Sequence, residues 1–222
     1  MPYRRTDNVV RKLAARHQTI LEAAKTLASE GGMAGVQIAP VAARANIAAG
    51  TVYRYFPAKT DLIAALVAAV SEQEIAALRQ AANAAPGPLS ALAAAITTFA
   101  GRALAHRRLS FALMAEPVEP ELEHARLSYR RALANELEIR IQAALAGRHL
   151  PAQDAAIIAP ALVGAMSEGL IGPLAPATDN DQAKLRAQIQ MLTLFMLRAL
   201  GIVDARARGL VVQTPIPAAN QV

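Results

Sequence analysis

A segment near the N-terminus, residues 37–61, holds the side chains whose types and spacing best fit a chemistry, namely contact with a nucleic acid. The hydroxyl, phenol and guanidinium groups of Thr51, Tyr53 and Arg54 can donate hydrogen bonds to phosphates or to base edges. Lys59 stands beside a predicted helix start, a combination suited to a phosphate. These groups make binding of double-stranded DNA the first hypothesis.

The rest of the chain offers little for catalysis. Glu121 and His124 have the Glu-x-x-His spacing of helical di-iron sites, but such a site needs a second motif and two further carboxylates, which the sequence lacks. His17, His106 and His149 lie in separate segments beside arginines. The sequence contains no cysteine, glycine-rich phosphate loop, nucleophile elbow or pair of catalytic carboxylates. We therefore predict no enzymatic activity, no catalytic residue, no metal site and no cofactor.

Two short helices around a tight turn are predicted to position the DNA-contacting groups. Asn46 stands where the first helix must end, and its short side chain tolerates a left-handed backbone. Pro40 falls in the first turn of that helix, where its missing N–H is least needed. An ordinary helical hairpin inside a bundle would explain the same apolar spacing. The apolar faces that dock the helices are Ile38, Val41 and Ala42 on the first and Ile47, Val52 and Tyr55 on the second.

The charge distribution favours the DNA-binding interpretation over the hairpin. Residues 1–60 hold nine Lys and Arg against three acids, a net charge of +6, whereas residues 61–222 hold fourteen of each sign. All the excess positive charge therefore lies on the proposed DNA-binding segment. This is the electrostatic pattern expected for contact with phosphates.

The stretch VAARANIAAGTVYRYFPAKTDLIAAL resembles the signature of the tetracycline-repressor (TetR) family of transcriptional regulators. The most specific part is Gly-Thr-Val-Tyr-x-Tyr-Phe-x-x-Lys at 50–59. The resemblance implies an all-helical homodimer that represses transcription from a palindromic operator and is released by a small-molecule inducer. It does not transfer an operator sequence or name the inducer.

The family's usual DNA contacts fall here on Arg44, Thr51, Tyr53, Tyr55 and Lys59. The chain departs from the family in having glutamine where Thr is usual before the second helix, and Ala48-Ala49 where Ser and often a basic residue are usual. Two potential contacts are thus missing, which also supports an alternative, a helical adaptor that kept the fold but lost specific DNA binding. The candidate DNA-binding set is Gln37, Arg44, Ala49, Thr51, Tyr53, Arg54, Tyr55 and Lys59.

Alanine dominates the composition, and Gly and Pro cluster between long apolar-periodic runs, which predicts an all-α fold. We expect a helix-turn-helix domain over 1–58, a helical ligand-binding and dimerisation domain over 59–203, and a C-terminal tail over 204–222. The glycine and prolines of the tail predict an extended or frayed segment. Nine helices are predicted, at about 8–30, 38–45, 49–55, 60–82, 88–104, 106–115, 119–146, 152–171 and 181–200.

We expect a cytoplasmic protein with no membrane partner. The basic N-terminus, MPYRRTDNVVRKL, lacks the apolar stretch of a secretory signal. The longest apolar run, 155–177, is interrupted by Glu168 and three prolines, so it predicts a buried helix and not a membrane span.

Two C-terminal helices carry features of a homodimer interface. In helix 152–171, small residues recur every four positions beside a larger apolar stripe. Helix 181–200 is apolar nearly all round after Ile189, so every side must be covered. A second copy is the simplest cover, although the central helix of a monomeric bundle would also fit. The candidate interface is Ala161, Leu162, Ala165, Met166, Gly169, Leu192, Phe195 and Met196.

A small-molecule effector is expected among the helices between the linker helix at 60–82 and the dimer helices. The bulky residues available there are equally consistent with plain core. The triplet His106-Arg107-Arg108 and Glu116 can supply polar groups to an anionic or hydroxylated ligand. The candidate pocket is Phe99, Leu104, Phe111, Met114, Glu116, Tyr129 and Leu133.

Overall fold

The computed structural model describes residues 7–177 and 181–217, and within these ranges the chain is all-helical, as predicted. The basic residues 1–6, the end of the 172–180 break and the last five residues of the predicted tail lie outside the described residues. The helices are α1 (Asp7–Gly35), α2 (Ile38–Arg44), α3 (Ala49–Tyr55), α4 (Lys59–Ala84), α5 (Pro88–Ala105), α6 (Arg107–Met114), α7 (Pro120–Ala146), α8 (Ala155–Leu170), α9 (Gln182–Ala199) and α10 (Asp204–Gln213).

The nine predicted helices correspond to α1–α9. The first helix is predicted to end at about residue 30, before Gly31-Gly32, and α1 is indeed interrupted there, because Gly32 has φ 71° and leaves the helical conformation. A backbone with positive φ is readily adopted by glycine, which has no Cβ. Residues 33–35 resume a short helical turn, so that α1 reaches Gly35.

Helix α10 corrects the prediction of a frayed tail over 204–222. Ala207, Leu210 and Val211 are buried, and their spacing places them on one side of a helix. The Asp204 carboxylate accepts hydrogen bonds from Arg208 and Arg198, which hold its pKa below the usual range. Burial of this apolar face outweighs the low helix propensity of the internal glycine.

The core of the C-terminal half is built on α5. Helices α4, α7, α9 and α10 pack against it, and α7 also packs on α4 and α8. Leu92 and Ile96 of α5 are fully buried between these layers. Within the described residues, α5 is the one helix long and apolar enough to cross a membrane, and 72% of it is buried inside the protein. It differs from the run 155–177 singled out in the sequence, whose helix α8 is shorter.

Helix α1 joins the N-terminal helices to the C-terminal half. It packs on α2, on α4 and on α6. Ile20, Ala24 and Ala28 are fully buried, and their four-residue spacing places them on one face. The helix-turn-helix therefore shares an apolar core with the rest of the molecule.

Docking of α10 can be tested by truncating its buried leucine. We expect Leu210→Ala to lower the free energy of unfolding by roughly 3 kcal/mol, because it removes a buried side chain and leaves a cavity. Val212→Ala on the same helix, where the side chain is 78% exposed, is the matched control and should be nearly neutral. Urea unfolding of both variants makes the comparison. Equal changes in the free energy of unfolding for the two variants would contradict the packing of α10 through Leu210.

Candidate nucleic-acid interface

The turn between α2 and α3 has the left-handed residue that the sequence predicts. Asn46 has φ 52°, which a non-glycine residue seldom adopts. The N–H of Asn46 donates to the Ala43 carbonyl at 3.1 Å, and that of Ile47 donates to the Ala42 carbonyl at 3.0 Å. These two bonds end α2 and set the direction in which the chain enters α3.

The start of α2 also follows local sequence rules. Gln37 is the N-cap residue with extended backbone, and Pro40 lies in the first turn, as expected. The Gln37 side chain does not cap the helix but donates from Nε2 to the Ala34 carbonyl at 3.1 Å. In this structure it is therefore turned back towards the end of α1, although it is exposed.

Helix α3 is divided into a buried side and an exposed side. Val52 is fully buried, and Phe56 just after the helix is 4% exposed. Ala49, Gly50, Tyr53 and Arg54 are exposed, and the four-residue spacings from Ala49 to Tyr53 and from Gly50 to Arg54 place them together on the opposite side. A Cβ at Gly50 would meet no other atom within 4 Å, so the start of α3 borders open space. This small, open N-terminal end lets a duplex approach the backbone closely.

Two of the predicted contacts, Thr51 and Tyr55, are only half exposed. Tyr55 packs against the core, and its ring centroid lies 6.3 Å from that of His17 on α1. His17 also lies 5.0 Å from the ring of Phe56. The role of His17 was missed by sequence reasoning, because nothing local indicates that it packs against the end of α3.

Arg44, the last residue of α2, is held by an acid on α1. Its Nη1 and Nη2 donate to Glu30 Oε1 and Oε2 at 2.7 and 2.8 Å, which makes a bidentate ion pair. Both side chains are largely exposed, 39% for Arg44 and 55% for Glu30, so the pair is screened by water. Glu30 was not singled out from the sequence, since the pair joins residues fourteen positions apart on different helices.

Lys59 is the first residue of α4, so its predicted place beside a helix N-terminus is confirmed. The N–H of Ala58 donates to Asp61 Oδ2 at 2.9 Å, so this carboxylate satisfies a backbone donor at the start of α4. Lys59 is half exposed and lines a cleft of about 450 Å³ between the helix-turn-helix and the segment 116–122.

Further positive charge surrounds this surface. Arg11, Lys12 and Arg16 on α1 are exposed, as is Arg54 on α3. Of the seven Lys and Arg residues that the structure describes within 7–60, five are exposed. The arrangement can attract a polyanion, and the attraction should weaken with added salt.

The seven residues predicted for the ligand pocket do not line one cavity. Phe99, Met114 and Leu133 are buried in the core. Leu104 borders a cavity of about 220 Å³ between α5, α9 and Ile216-Pro217. Phe111 is half buried, and the Arg108 guanidinium lies 5.9 Å from its ring centroid.

The remaining two predicted pocket residues lie in different places. Glu116 borders the cleft near Lys59, and its Oε2 accepts a hydrogen bond from the Met33 N–H at 3.1 Å. Tyr129 lies in a buried polar cluster between α4, α5 and α7, which we call the Glu74–Arg102 cluster after its ion pair. The other side chains that line this cluster are Lys25, Val70, His106, Leu109, Ser110 and Leu113.

The ion pair of the Glu74–Arg102 cluster is short and poorly solvated. Arg102 Nε and Nη2 donate to Glu74 at 2.6 and 2.8 Å, and the two side chains are only 12% and 17% exposed. The hydrogen bond to Glu74 raises the pKa of Arg102 above its usual value. Burial raises the pKa of Tyr129, so its hydroxyl keeps its proton. The cavity holds only about 10 Å³, close to the space for one water.

The predicted dimer residues separate into two groups. Leu162, Met166 and Met196 are at most 4% exposed and belong to the core of this protomer, so including them in a contact surface was wrong. Ala161 is exposed, Ala165, Gly169 and Leu192 are half exposed, and Phe195 is 55% exposed. Met191 and Ile157, at 68% and 65%, extend this outer face, which we call the α8–α9 face.

In the part of the chain that the structure describes, no three His, Asp or Glu side chains come together as a metal site would require. Glu121 and His124 are exposed near the start of α7.

The sequence of the helix-turn-helix matches a known family. Residues 20–66 match the model described as "Bacterial regulatory proteins, tetR family". This segment is therefore similar to the DNA-binding part of TetR-family regulators. Among the relatives of this segment, the HTH-type transcriptional repressor KstR of Rhodococcus jostii (strain RHA1) is 49% identical over 53 residues. That match spans only 24% of this chain and 25% of KstR.

The similarity of fold extends beyond this segment over most of the chain. The structure of RolR in complex with resorcinol has a TM-score of 0.66 and 22% identity, and the alignment covers 95% of this chain and 99% of that one. FadR from Bacillus subtilis in complex with stearoyl-CoA has a TM-score of 0.61 and 17% identity, with 88% and 95% covered. At such identities these likenesses concern the fold alone.

The pairing of Arg44 with Glu30 gives a direct test of this surface. We expect Glu30→Gln to tighten binding to random-sequence duplex DNA and to steepen its salt dependence by up to about one charge, because Arg44 is released. Glu22→Gln, an exposed acid on the same helix, is the control for net charge. Fluorescence anisotropy at several salt concentrations measures both. An equal gain in the two variants would contradict a specific role of the pair.

Proposed function

We propose that this chain is a TetR-family transcriptional repressor that binds a palindromic operator as a homodimer and is released by a small-molecule inducer. In this proposal residues 1–58 bind DNA in the cytoplasm, residues 59–203 bind the inducer and the partner copy, and no catalytic step is involved. The observation that carries it is the exposed Tyr53–Arg54 side of α3, held outward by buried Val52 and Phe56.

Binding to duplex DNA is supported by the shape and charge of the helix-turn-helix. Ala49 and Gly50 let the start of α3 approach a groove, while Tyr53 and Arg54 present groups that hydrogen-bond to bases or phosphates. Lys59 adds a cation at the start of α4. KstR, whose similarity to this chain covers the same segment, is named a transcriptional repressor. The missing polar groups at Ala48 and Ala49 keep the adaptor as the alternative.

The test is selection of randomised duplex DNA on the purified protein at two salt concentrations. We expect enrichment of a palindrome, since two copies related by a two-fold axis read two equal half-sites. The enriched duplex then serves as the probe for a ligand screen, in which an inducer lowers operator affinity. Salt-sensitive binding without an enriched sequence, or no binding, would favour the adaptor.

The dimer is proposed to form through the α8–α9 face. Phe195 and Met191 on α9 and Ile157 on α8 are more than half exposed, which is unusual for large apolar side chains on neighbouring helices. Ala161 and Gly169 are small, so a partner helix can approach closely. In an isologous interface, both protomers contribute each of these residues to the contact.

A single charge placed on this face should separate the protomers. We expect Phe195→Lys to raise the dimer dissociation constant by at least about 100-fold, because two uncompensated charges would be buried per dimer. Val10→Lys on α1, where the side chain is 50% exposed, is the matched control. Sedimentation of both variants at one concentration measures the effect. A dimeric Phe195→Lys protein would contradict the assignment of the face.

The inducer site is proposed at the Glu74–Arg102 cluster. Arg102, Lys25 and Glu74 give the lining one more positive than negative charge, which suits a ligand with an anionic or hydroxylated group. RolR and FadR share this fold and are described with resorcinol and stearoyl-CoA. Because the cavity is only about 10 Å³, a ligand must part the helices around it. Lys25 belongs to α1, so this opening would displace the helix-turn-helix.

A further inference from the structure

One hydrogen bond joins the two halves of the molecule near the break in α1. Glu116 follows the end of α6, and its Oε2 accepts the N–H of Met33 at 3.1 Å. The two residues are 83 positions apart in the chain. Met33 is 4% exposed and Glu116 is half exposed, so the bond is partly shielded from water. Hydrogen bonds to a charged acceptor in such surroundings are stronger than those between neutral groups.

The neighbouring glycine makes this contact possible. Gly32 has φ 71°, and a Cβ added there would lie 2.5 Å from Glu116 Oε2 and 2.5 Å from Arg108 Nη2. Real Cβ atoms do not approach other atoms so closely, so any larger residue would push both side chains away. The charged side chains of Arg108 and Glu116, both from the C-terminal half, therefore lie next to Gly32, the residue at which α1 changes direction.

Packing alone does not fix the helix-turn-helix on this side of the molecule. The cleft of about 450 Å³ separates Gln37 and Lys59 from Val118 and Leu122. The cleft opens to the surface, so apolar contact between these two segments is incomplete here. The bond from Glu116 to Met33 lies at the edge of the cleft and ties the segment that leads into α2 to the C-terminal half.

We propose that Glu116 is a positioning residue that sets the orientation of α2–α3 and thereby the half-site spacing that the dimer accepts. The proposal rests on the proposed function, since spacing has meaning only for a dimer on a palindrome. Each added base pair moves a half-site along the duplex and rotates it about the axis. A helix-turn-helix held at a fixed angle therefore accepts one spacing, and one free to rotate accepts several.

Helix α6 links the Glu116–Met33 hydrogen bond to the proposed inducer site. Leu109, Ser110 and Leu113 of α6 line the Glu74–Arg102 cluster, and Glu116 follows α6 by two residues. A ligand that moved α6 would therefore move the carboxylate that holds Met33. Glu116, predicted from the sequence as a ligand contact, is thus assigned to positioning instead.

The experiment measures affinity for a set of duplexes that carry the two selected half-sites at different spacings. For the wild-type protein we expect one preferred spacing. For Glu116→Ala we expect the preference over neighbouring spacings to fall about tenfold, the scale of a lost hydrogen bond to a charged group, with the half-site sequence unchanged. Glu116→Gln should behave as wild type, because its amide oxygen can accept the same N–H. Glu119→Ala removes a carboxylate from the same cleft and is the control.

A second variant and a second readout make the outcome decisive. Glu116→Asp, whose shorter side chain withdraws the acceptor from Met33, should lose the spacing preference as Glu116→Ala does. Amide hydrogen exchange without DNA should rise over residues 33–55 in both variants and stay at the wild-type level in Glu116→Gln. A wild-type spacing profile with unchanged exchange in Glu116→Ala would overturn the proposal, and so would loss of spacing preference in Glu116→Gln.

Failure of the proposed function would look different. If the wild-type protein selects no palindrome, the repressor assignment fails. The exchange measurement, which needs no DNA, then still decides the role of Glu116 in holding α2–α3.

Discussion

Burial of one face of α1 is the constraint on which the rest of the structure depends. Ile20, Ala24 and Ala28 are inaccessible to water and repeat every four residues, so a single face of α1 meets α2, α4 and α6. Two of the three are alanines, and such small side chains let the neighbouring helices approach closely. Because α1 packs against both the helix-turn-helix and the C-terminal half, a displacement of either half is transmitted to the other.

The exposed surfaces follow from this shared core. Val52 and Phe56 are drawn into it, which leaves Tyr53 and Arg54 on the outer side of α3. In the C-terminal half, α9 packs on α5, and its Phe195 remains 55% exposed. In the proposed function the first group contacts DNA and the second contacts another copy of the chain. In that proposal, dimerisation sets the distance between the two α3 helices.

Local signals made much of the fold predictable. The break at Gly32, the left-handed Asn46 and the early Pro40 each depend on the conformational limits of one residue type, and the apolar period located nine helices. The missed helix α10 has only three buried residues and an internal glycine, so its pattern is weak until α5 and α9 are present to cover it. The predicted dimer interface included buried residues beside exposed ones. Residues adjacent in a helix point about 100° apart, so Ala161 is exposed while Leu162 is buried. The pairs Arg44 with Glu30 and Glu116 with Met33 join separate segments of the chain, so the spacing of residues in the sequence does not predict them.

The central claim is that α3 reads sequence through the side chains its buried face holds outward, while Lys59 supplies charge. Comparing Tyr53→Ala with Lys59→Ala, on the selected palindrome and on a scrambled duplex across a range of salt, tests it most directly. The account predicts that Tyr53→Ala loses affinity for the palindrome much more than for the scrambled duplex. Lys59→Ala should weaken binding to both and reduce the salt slope by roughly one. Equal losses on both duplexes for Tyr53→Ala would contradict the claim that α3 is the reading surface.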